Sequence, residues 1–492
     1  MNMSKVLCVA VAAMGAAASL HAGLESELTR PQLHLTAPAG WINDPNGLSY
    51  YKGEWHCFAQ HNPDGVAPCW QGKDVCWYHW VSSNLLHWTA LGVAIHQDEL
   101  GTCASGSAVT DPDNTAGFGA GAHVLVYSQL TGPVGQRHGK QCLAYSQDGR
   151  TYVKYAGNPV CETLSHGGDR DPKVFWYGRG ETPHWVIVLY VEHDGSAYYT
   201  IYTSPDLKTW TFSQEIRAGA SGTQRGWLYE CPGMEELRIE GEDATRWIIW
   251  SADADYYQLG TFDGYVFTPD GEKQRGLHQP GNETLGSGFY AAQSFSGTPD
   301  GRCIWMAWFQ NPPGNGTLSG AKWSQCLSIP QELSLRRVNG ALRLVRHPVA
   351  EFAGLRAGEA VPLDQFSGDL AEVSLKCKLT ASGSVAFNLR GMTVSYDASA
   401  QKLTAGGSSV SWPLRAGGEL ALTVFLDRGC AEIFAQDGLD MLPVQTFPNS
   451  AANRSLSVAS SAGVSESEFK AWPLSSIWEE GKKPEQKVVL GK

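Results

Sequence analysis

Asp44, Asp171 and Glu230 are three acids in similar company: WINDPNG, GGDRDPKVFW and WLYECPGMEEL place each one beside a proline or one residue from it. Proline has no N–H to give a sheet ladder, so it belongs at strand ends. Trp41-Ile42 reads as the end of a buried strand and Asn46-Gly47 as a stiff turn. An acid held there suits a turn cap or a fixed catalytic carboxylate. Carboxyl groups gathered at one place repel, so a cluster calls for a metal or for proton transfer. The chain has no HExxH, no paired Cys-x-x-Cys and no Asp-rich calcium loop, so metal is the weaker choice. No metal or cofactor is expected. Two carboxyl groups in unlike surroundings are what glycosidic cleavage needs, one ionised and one protonated. Glu230, between Trp227-Leu228-Tyr229 and Cys231, has the more apolar setting, where burial raises a carboxyl pKa. Arg170 is expected to keep its neighbour Asp171 ionised, as an acceptor for sugar hydroxyls.

The elements that must position these acids are strands. Segments such as HVLVYSQL, HWVIVLYVEH and RWIIWSA alternate and are bounded by Gly, Pro, Asn and Asp. A weak repeat orders them: SSNLLHW from Ser82, SQDGRTY from Ser146, SPDLKTW from Ser204 and TFDGYVF from Thr261, with successive starts 64, 58 and 57 residues apart. Each copy has Ser or Thr first, Leu or Gly fourth and an aromatic seventh, which reads as a tight hairpin turn with a ring packed back on the sheet. The period fits one four-stranded propeller blade. With a last unit through GRCIWMAWF and SQCLSIPQELSL, the chain reads as all-β: a five-bladed β-propeller over 28–347, then an antiparallel β-sandwich over 355–475 and a tail over 476–492. The three acids precede their turns by 31 to 38 residues, a phase that falls on the innermost strand beside the central channel.

The chain has 492 residues, a net charge of −12 and no basic run, which argues against nucleic-acid binding. Residues 1–22, with Lys5 ahead of a short apolar run, read as a secretory signal peptide and predict a secreted protein without a membrane anchor. Eleven cysteines follow Cys8, an odd number for an oxidising compartment. Cys377 and Cys430 are the candidate pair of the C-terminal region. The sequons at Asn282, Asn315 and Asn453 matter only in a eukaryotic source.

WINDPNG, FAQHNP, SGSAV, RDPKVFW, ECP and FYAAQSF follow one another in an order that resembles the family 32 glycoside hydrolases, the β-fructosidases that include invertases, inulinases and levanases. SIPQELSLR and FLDRGCAEIF extend the likeness over nearly the whole mature chain. The resemblance implies the same propeller and sandwich, and a retaining mechanism. Asp44 would be the nucleophile, Glu230 the general acid/base and Asp171 the transition-state stabiliser. It implies substrate contacts from Asn43, Gln60, Trp70, Trp77, Ser107 and Arg170. Cys231 would tune the pKa of the acid and is the candidate unpaired thiol. Two readings stand for Trp77 (pocket wall or blade core), for Ser107 (binding or turn residue) and for Arg170 (binding residue or surface ion pair). The substrate class would be sucrose, inulin or levan, with the protein a monomer or homodimer. A fructosyltransferase sharing the intermediate, or an inactive glycan-binding propeller, are the rivals. Departures from the family pattern are Tyr78 and Trp80 in WYHW, Ala104, Gly288 and PQE at Pro330–Glu332. Bulk at Tyr78 and Trp80 is expected to narrow the pocket and favour exo cleavage.

Overall fold

The computed structural model describes residues 27, 29–132, 138–161, 169–193, 196–218, 227–279, 288–310, 321–406, 408–415, 417–444 and 454–478. Residues 1–22, read above as a signal peptide, and the three sequons lie outside them. Five sheets follow one another along the chain, each built of antiparallel strands; the first is also joined in parallel by the short strand Trp323–Ser324. The first runs Gly40–Tyr51, Glu54–Asn62, Cys76–Ser82 and Thr89–Ile95. The inner strands of the next four are Thr102–Asp111, Arg170–Tyr177, Gly233–Arg238 and Phe289–Ser294. This is the five-bladed propeller read from the repeat. Two further sheets, of six and five strands, make the sandwich.

The repeat marks the turn between the third and fourth strands of a blade. Ser82, Ser146 and Ser204 close the third strands, and their hydroxyls bond Asn84, Asp148 and Asp206 two residues on. The fourth position is left-handed in every copy: Leu85, Gly149, Leu207 and Gly264 have φ of 62°, 68°, 61° and 99°. Glycine takes that conformation freely, whereas leucine takes it under strain. Leu85 and Leu207 are fully buried, so packing holds them there.

A buried charged cluster joins propeller to sandwich. Asp427, after the strand Glu419–Leu426, accepts hydrogen bonds from the backbone N–H of Gln32 and Leu33, both at 2.7 Å, and from His34 Nδ1 at 2.7 Å. His34 Nε2 donates to Glu432 at 3.2 Å. Glu432 also accepts from Ile329 N–H and Gln331 Nε2 in the fifth-blade region. Burial opposes charge on His34, but Cys430, Asp427 and Glu432 outweigh it and hold the imidazole well above its ordinary pKa.

Three expectations need correction. Cys377 and Cys430 do not pair: Cys377 faces the sandwich interior, whereas Cys430 packs in the propeller core beside His34. None of the eleven described cysteines is in a disulfide, and ten are buried, where thiols are inert. Ser476, Ile477 and Trp478 are not tail. Ile477 N–H bonds Gln32 O, and Trp478 Nε1 bonds Pro31 O, so two apolar side chains anchor the end of the described chain. Tyr78 and Trp80 lie in the blade core, with ring centroids 4.6 Å apart, and cannot narrow a pocket.

Removing the imidazole strands two buried carboxylates, so His34→Leu should lower unfolding free energy by roughly 3–5 kcal/mol in urea titrations. The His34 pKa is raised by folding, so its contribution is complete below about pH 6.5 and is lost as pH rises through the folded value. The Asp427 pKa is lowered, with burial outweighed by His34 and by backbone donors. Its contribution is complete above about pH 4 and is lost on acidification through the folded value. His34→Gln should therefore flatten the alkaline decline in stability; an unchanged alkaline slope would contradict the charged clamp.

Candidate active site

Four of the five inner strands carry one extra residue near one end. Two residues oppose one between Ile42 and Pro45, between Cys103 and Gly106, between Arg170 and Lys173, and between Tyr290 and Gln293. These are β-bulges, which re-aim side chains and end pairing. Asp171 and Ala291 in them, and Cys231 just before the fourth inner strand, are left-handed at φ 62°, 54° and 49°. Such backbone strain persists only where surrounding structure enforces it. Packing at the bulged strands is close: at Gly106 any Cβ would lie 2.1 Å from Val126 O.

Asp44 and Asp171 sit in two of these bulges and Glu230 just ahead of the fourth inner strand. The three acids lie close enough to sense one another's charge. Asp44 is buried. Its Oδ1 accepts from Asn43 Nδ2 at 3.1 Å; its Oδ2 accepts from Ser105 Oγ at 2.6 Å, Gln60 Nε2 at 3.2 Å and the Cys231 thiol at 3.7 Å. The Trp41 indole fixes Asn43 by donating to its Oδ1 at 3.0 Å. Asp171 Oδ2 accepts from Cys231 N–H at 3.1 Å. Cys231 thus hydrogen-bonds Asp44 and Asp171, and its thiol also lies within the field of the Glu230 carboxyl. Burial pushes its thiol pKa well up, which keeps it a neutral donor.

Arg170 departs from expectation. Its Nη2 lies 2.7 Å from Glu230 Oε1 and its Nε donates to that oxygen at 2.8 Å, but the Asp171 carboxyl is 4.0 Å away. The guanidinium thus serves Glu230. Burial, then the Glu230 charge, push Asp171 up to about 7 against the pull of Arg170. Asp44 rises to about 6 through burial, against hydrogen bonds from Ser105 and Asn43, with the Glu230 charge adding to the rise. The apolar surroundings expected for Glu230 are also absent at its oxygens, since Tyr290 OH donates to Oε2 at 2.5 Å.

Two proposed contacts are structural. Trp77 is fully buried between the first two blades, its indole donating to Ala104 O at 3.0 Å; it has no surface to offer a pocket. Ser107 Oγ donates to Pro172 O at 2.8 Å and accepts from Val174 N–H at 2.9 Å, which ties the second blade to the third. Ser105, two residues earlier, is the serine on Asp44. Trp70 is 40% exposed and meets Trp41 edge-on. Its turn neighbour Cys69 donates to Gln60 Oε1 at 3.2 Å, and Gln60 in turn bonds Asp44, so the short turn that carries Trp70 is tied to the nucleophile candidate. The sequence reading assigned nothing to Ser105, Tyr290 or Glu192. The first two lie in quoted motifs; no pattern marks Glu192.

Among the described residues, His34, Asp427 and Cys430 gather metal-ligating atoms within 4.8 Å. The 2.7 Å His34–Asp427 hydrogen bond is too short for two ligands of one ion, and the Asp427 oxygens already accept from backbone N–H groups. The acid trio, by contrast, offers proton transfer and a fixed carboxylate.

The Glycosyl hydrolases family 32 N-terminal domain model matches residues 34–348, and the family's C-terminal model matches 346–473. A levanase of Bacillus subtilis (strain 168) is 32% identical over 504 residues, covering 91% of this chain and 71% of the relative. An extracellular exo-inulinase of Aspergillus ficuum is 28% identical over 548 residues, covering 96% and 99%. The crystal structure of an exo-inulinase from Aspergillus awamori superimposes with a TM-score of 0.78 at 27% identity, covering 92% of this chain and 99% of that one. With both domain models lying end to end along it, the chain belongs to glycosyl hydrolases family 32.

Proposed function

We propose that this glycosidase of β-fructofuranosides releases terminal fructosyl units from fructans or sucrose with retention, through a covalent fructosyl-enzyme. The observation that carries the reading is the meeting of Asp44, Asp171 and Glu230 from three blades. Asp44 Oδ2 takes three hydrogen bonds and Oδ1 one, so Oδ1 is the oxygen to attack the anomeric C2. Glu230 gives its proton to the departing glycosidic oxygen. Water then attacks C2, loses its proton to Glu230 and displaces Asp44. Asp171 accepts from fructosyl hydroxyls. At neutral pH Asp44, raised to about 6, is mostly ionised as attack requires, while Asp171, raised to about 7, is partly protonated next to the group that must supply a proton.

Asn43 and Gln60 hold Asp44 and flank the space the sugar would occupy, and Trp70 forms the rim wall. Exo action rests on the likeness to exo-inulinases and no longer on Tyr78 and Trp80. Export rests on the basic and apolar residues of 1–22 and on the extracellular relative. Among the described residues no helix is long and apolar enough to cross a membrane.

Fructose release from sucrose, inulin and levan, followed by chromatography, tests the reading. Free fructose from the polymers is expected; longer oligosaccharides as the main product from concentrated sucrose would assign a transferase instead. Asp44→Asn should lower kcat at least roughly 10³-fold, since no covalent intermediate can form; near-parental turnover would remove it as nucleophile. Asp44 must be ionised to attack, so kcat/KM should fall as pH drops through about 6. Ser105→Ala removes a hydrogen bond that favours the carboxylate, and should move that acid limb upward by roughly half a unit or more. An acid limb unmoved in Ser105→Ala would dissociate it from Asp44.

A further inference from the structure

Two residues outside the acid trio act on Glu230 from different blades. Tyr290, at the head of the fifth inner strand, donates to Glu230 Oε2 at 2.5 Å. Its ring is fixed edge-on between Trp308 and Tyr229. On the other oxygen lies Arg170, and its guanidinium is shared: Nη2 also donates to Glu192 Oε2 at 3.0 Å. Glu192 is the second-last residue of the second strand of the third blade, His184–His193, and the guanidinium rests 4.7 Å over the Tyr190 ring.

We propose that Glu192 and Tyr290 are positioning residues that set the proton affinity of Glu230 in opposite directions. The proposal rests on the reading of Glu230 as the general acid/base. Glu192 draws part of the Arg170 charge to itself and adds a second negative charge nearby; both favour a proton on Glu230. Tyr290 favours the carboxylate, because a phenol O–H donates more strongly to an ionised oxygen. Burial, then the Glu230 charge, push the Tyr290 phenol well above its ordinary value, so it stays a donor through the working range. Among the described residues, the Asp44 and Asp171 carboxyls and the Cys231 thiol also face Glu230. The arrangement suits the half of the cycle after Glu230 has given up its proton: Arg170 and Tyr290 then hold the carboxylate until water returns a proton to it.

The test is the pH dependence of kcat/KM for sucrose in the parent, Glu192→Gln, Glu192→Asp and Tyr290→Phe. The alkaline limb reports the proton on the general acid. Glu192→Gln should move it to lower pH and Tyr290→Phe to higher pH, each by roughly half a unit or more. Glu192→Asp should restore the parental limb, and the acid limb should stay in place throughout. Lowered turnover with both limbs unmoved, or shifts of the same sign, would overturn the proposal. The same displacements should appear in a ¹³C NMR titration of the Glu230 carboxyl, its resonance assigned by loss in Glu230→Gln. That titration needs no turnover. A parent that released no fructose would therefore sink the hydrolase reading, while the titration still decided for or against the network.

Discussion

Three carboxyl groups in one cavity repel each other, and the structure around them is arranged to bear that repulsion. Burial alone pushes Asp44 and Asp171 towards the neutral form. Arg170 is the compensating cation, and it sits on Glu230 rather than on its own neighbour. The remaining compensation is neutral: hydrogen bonds from Ser105, Asn43, Gln60 and Cys231 to Asp44, and from the Cys231 backbone to Asp171. Donors of this kind lower the energy of a carboxylate without adding a charge that would fix its protonation state. The cavity can therefore hold acids that still titrate near neutrality.

The geometry behind this is a displaced strand end. An unbroken inner strand would alternate its side chains between the channel and the sheet beside it. One extra residue interrupts that alternation and lets consecutive residues such as Asn43 and Asp44, or Arg170 and Asp171, reach the same cavity. Left-handed Asp171 and Cys231 are the places where this rearrangement is most visible. Their strain, of order 1–3 kcal/mol each, is offset by the packed blades on either side.

The period of the turns, and hence the propeller, was legible because each turn needs a left-handed fourth residue and a ring to pack. The shared phase of Asp44, Asp171 and Glu230 was legible for the same reason, since each hangs from one turn of the repeat. What escaped sequence reasoning lies at the bulges, where counting by twos fails. SGSAV offers two serines of equal merit, and only the bulge between Cys103 and Gly106 shows that Ser105 reaches Asp44 while Ser107 staples two blades. Adjacency in sequence suggested Arg170 for Asp171, but a guanidinium on a long stem takes its partner from another blade. Trp77 could not be sorted by composition, because a buried indole and a pocket wall have the same letter. Cys377 and Cys430 shared a region of sequence yet face different cores.

The stretch from Pro31 to Leu35 has a bearing on the chain's biosynthesis. It is among the first described parts to leave the ribosome, yet its anchors are Asp427, Glu432, Ile477 and Trp478. Those residues emerge when the polypeptide is almost finished. The ring of blades therefore gains its final brace only after translation of the sandwich, and a propeller made by itself would leave a histidine and several amide protons without their acceptors.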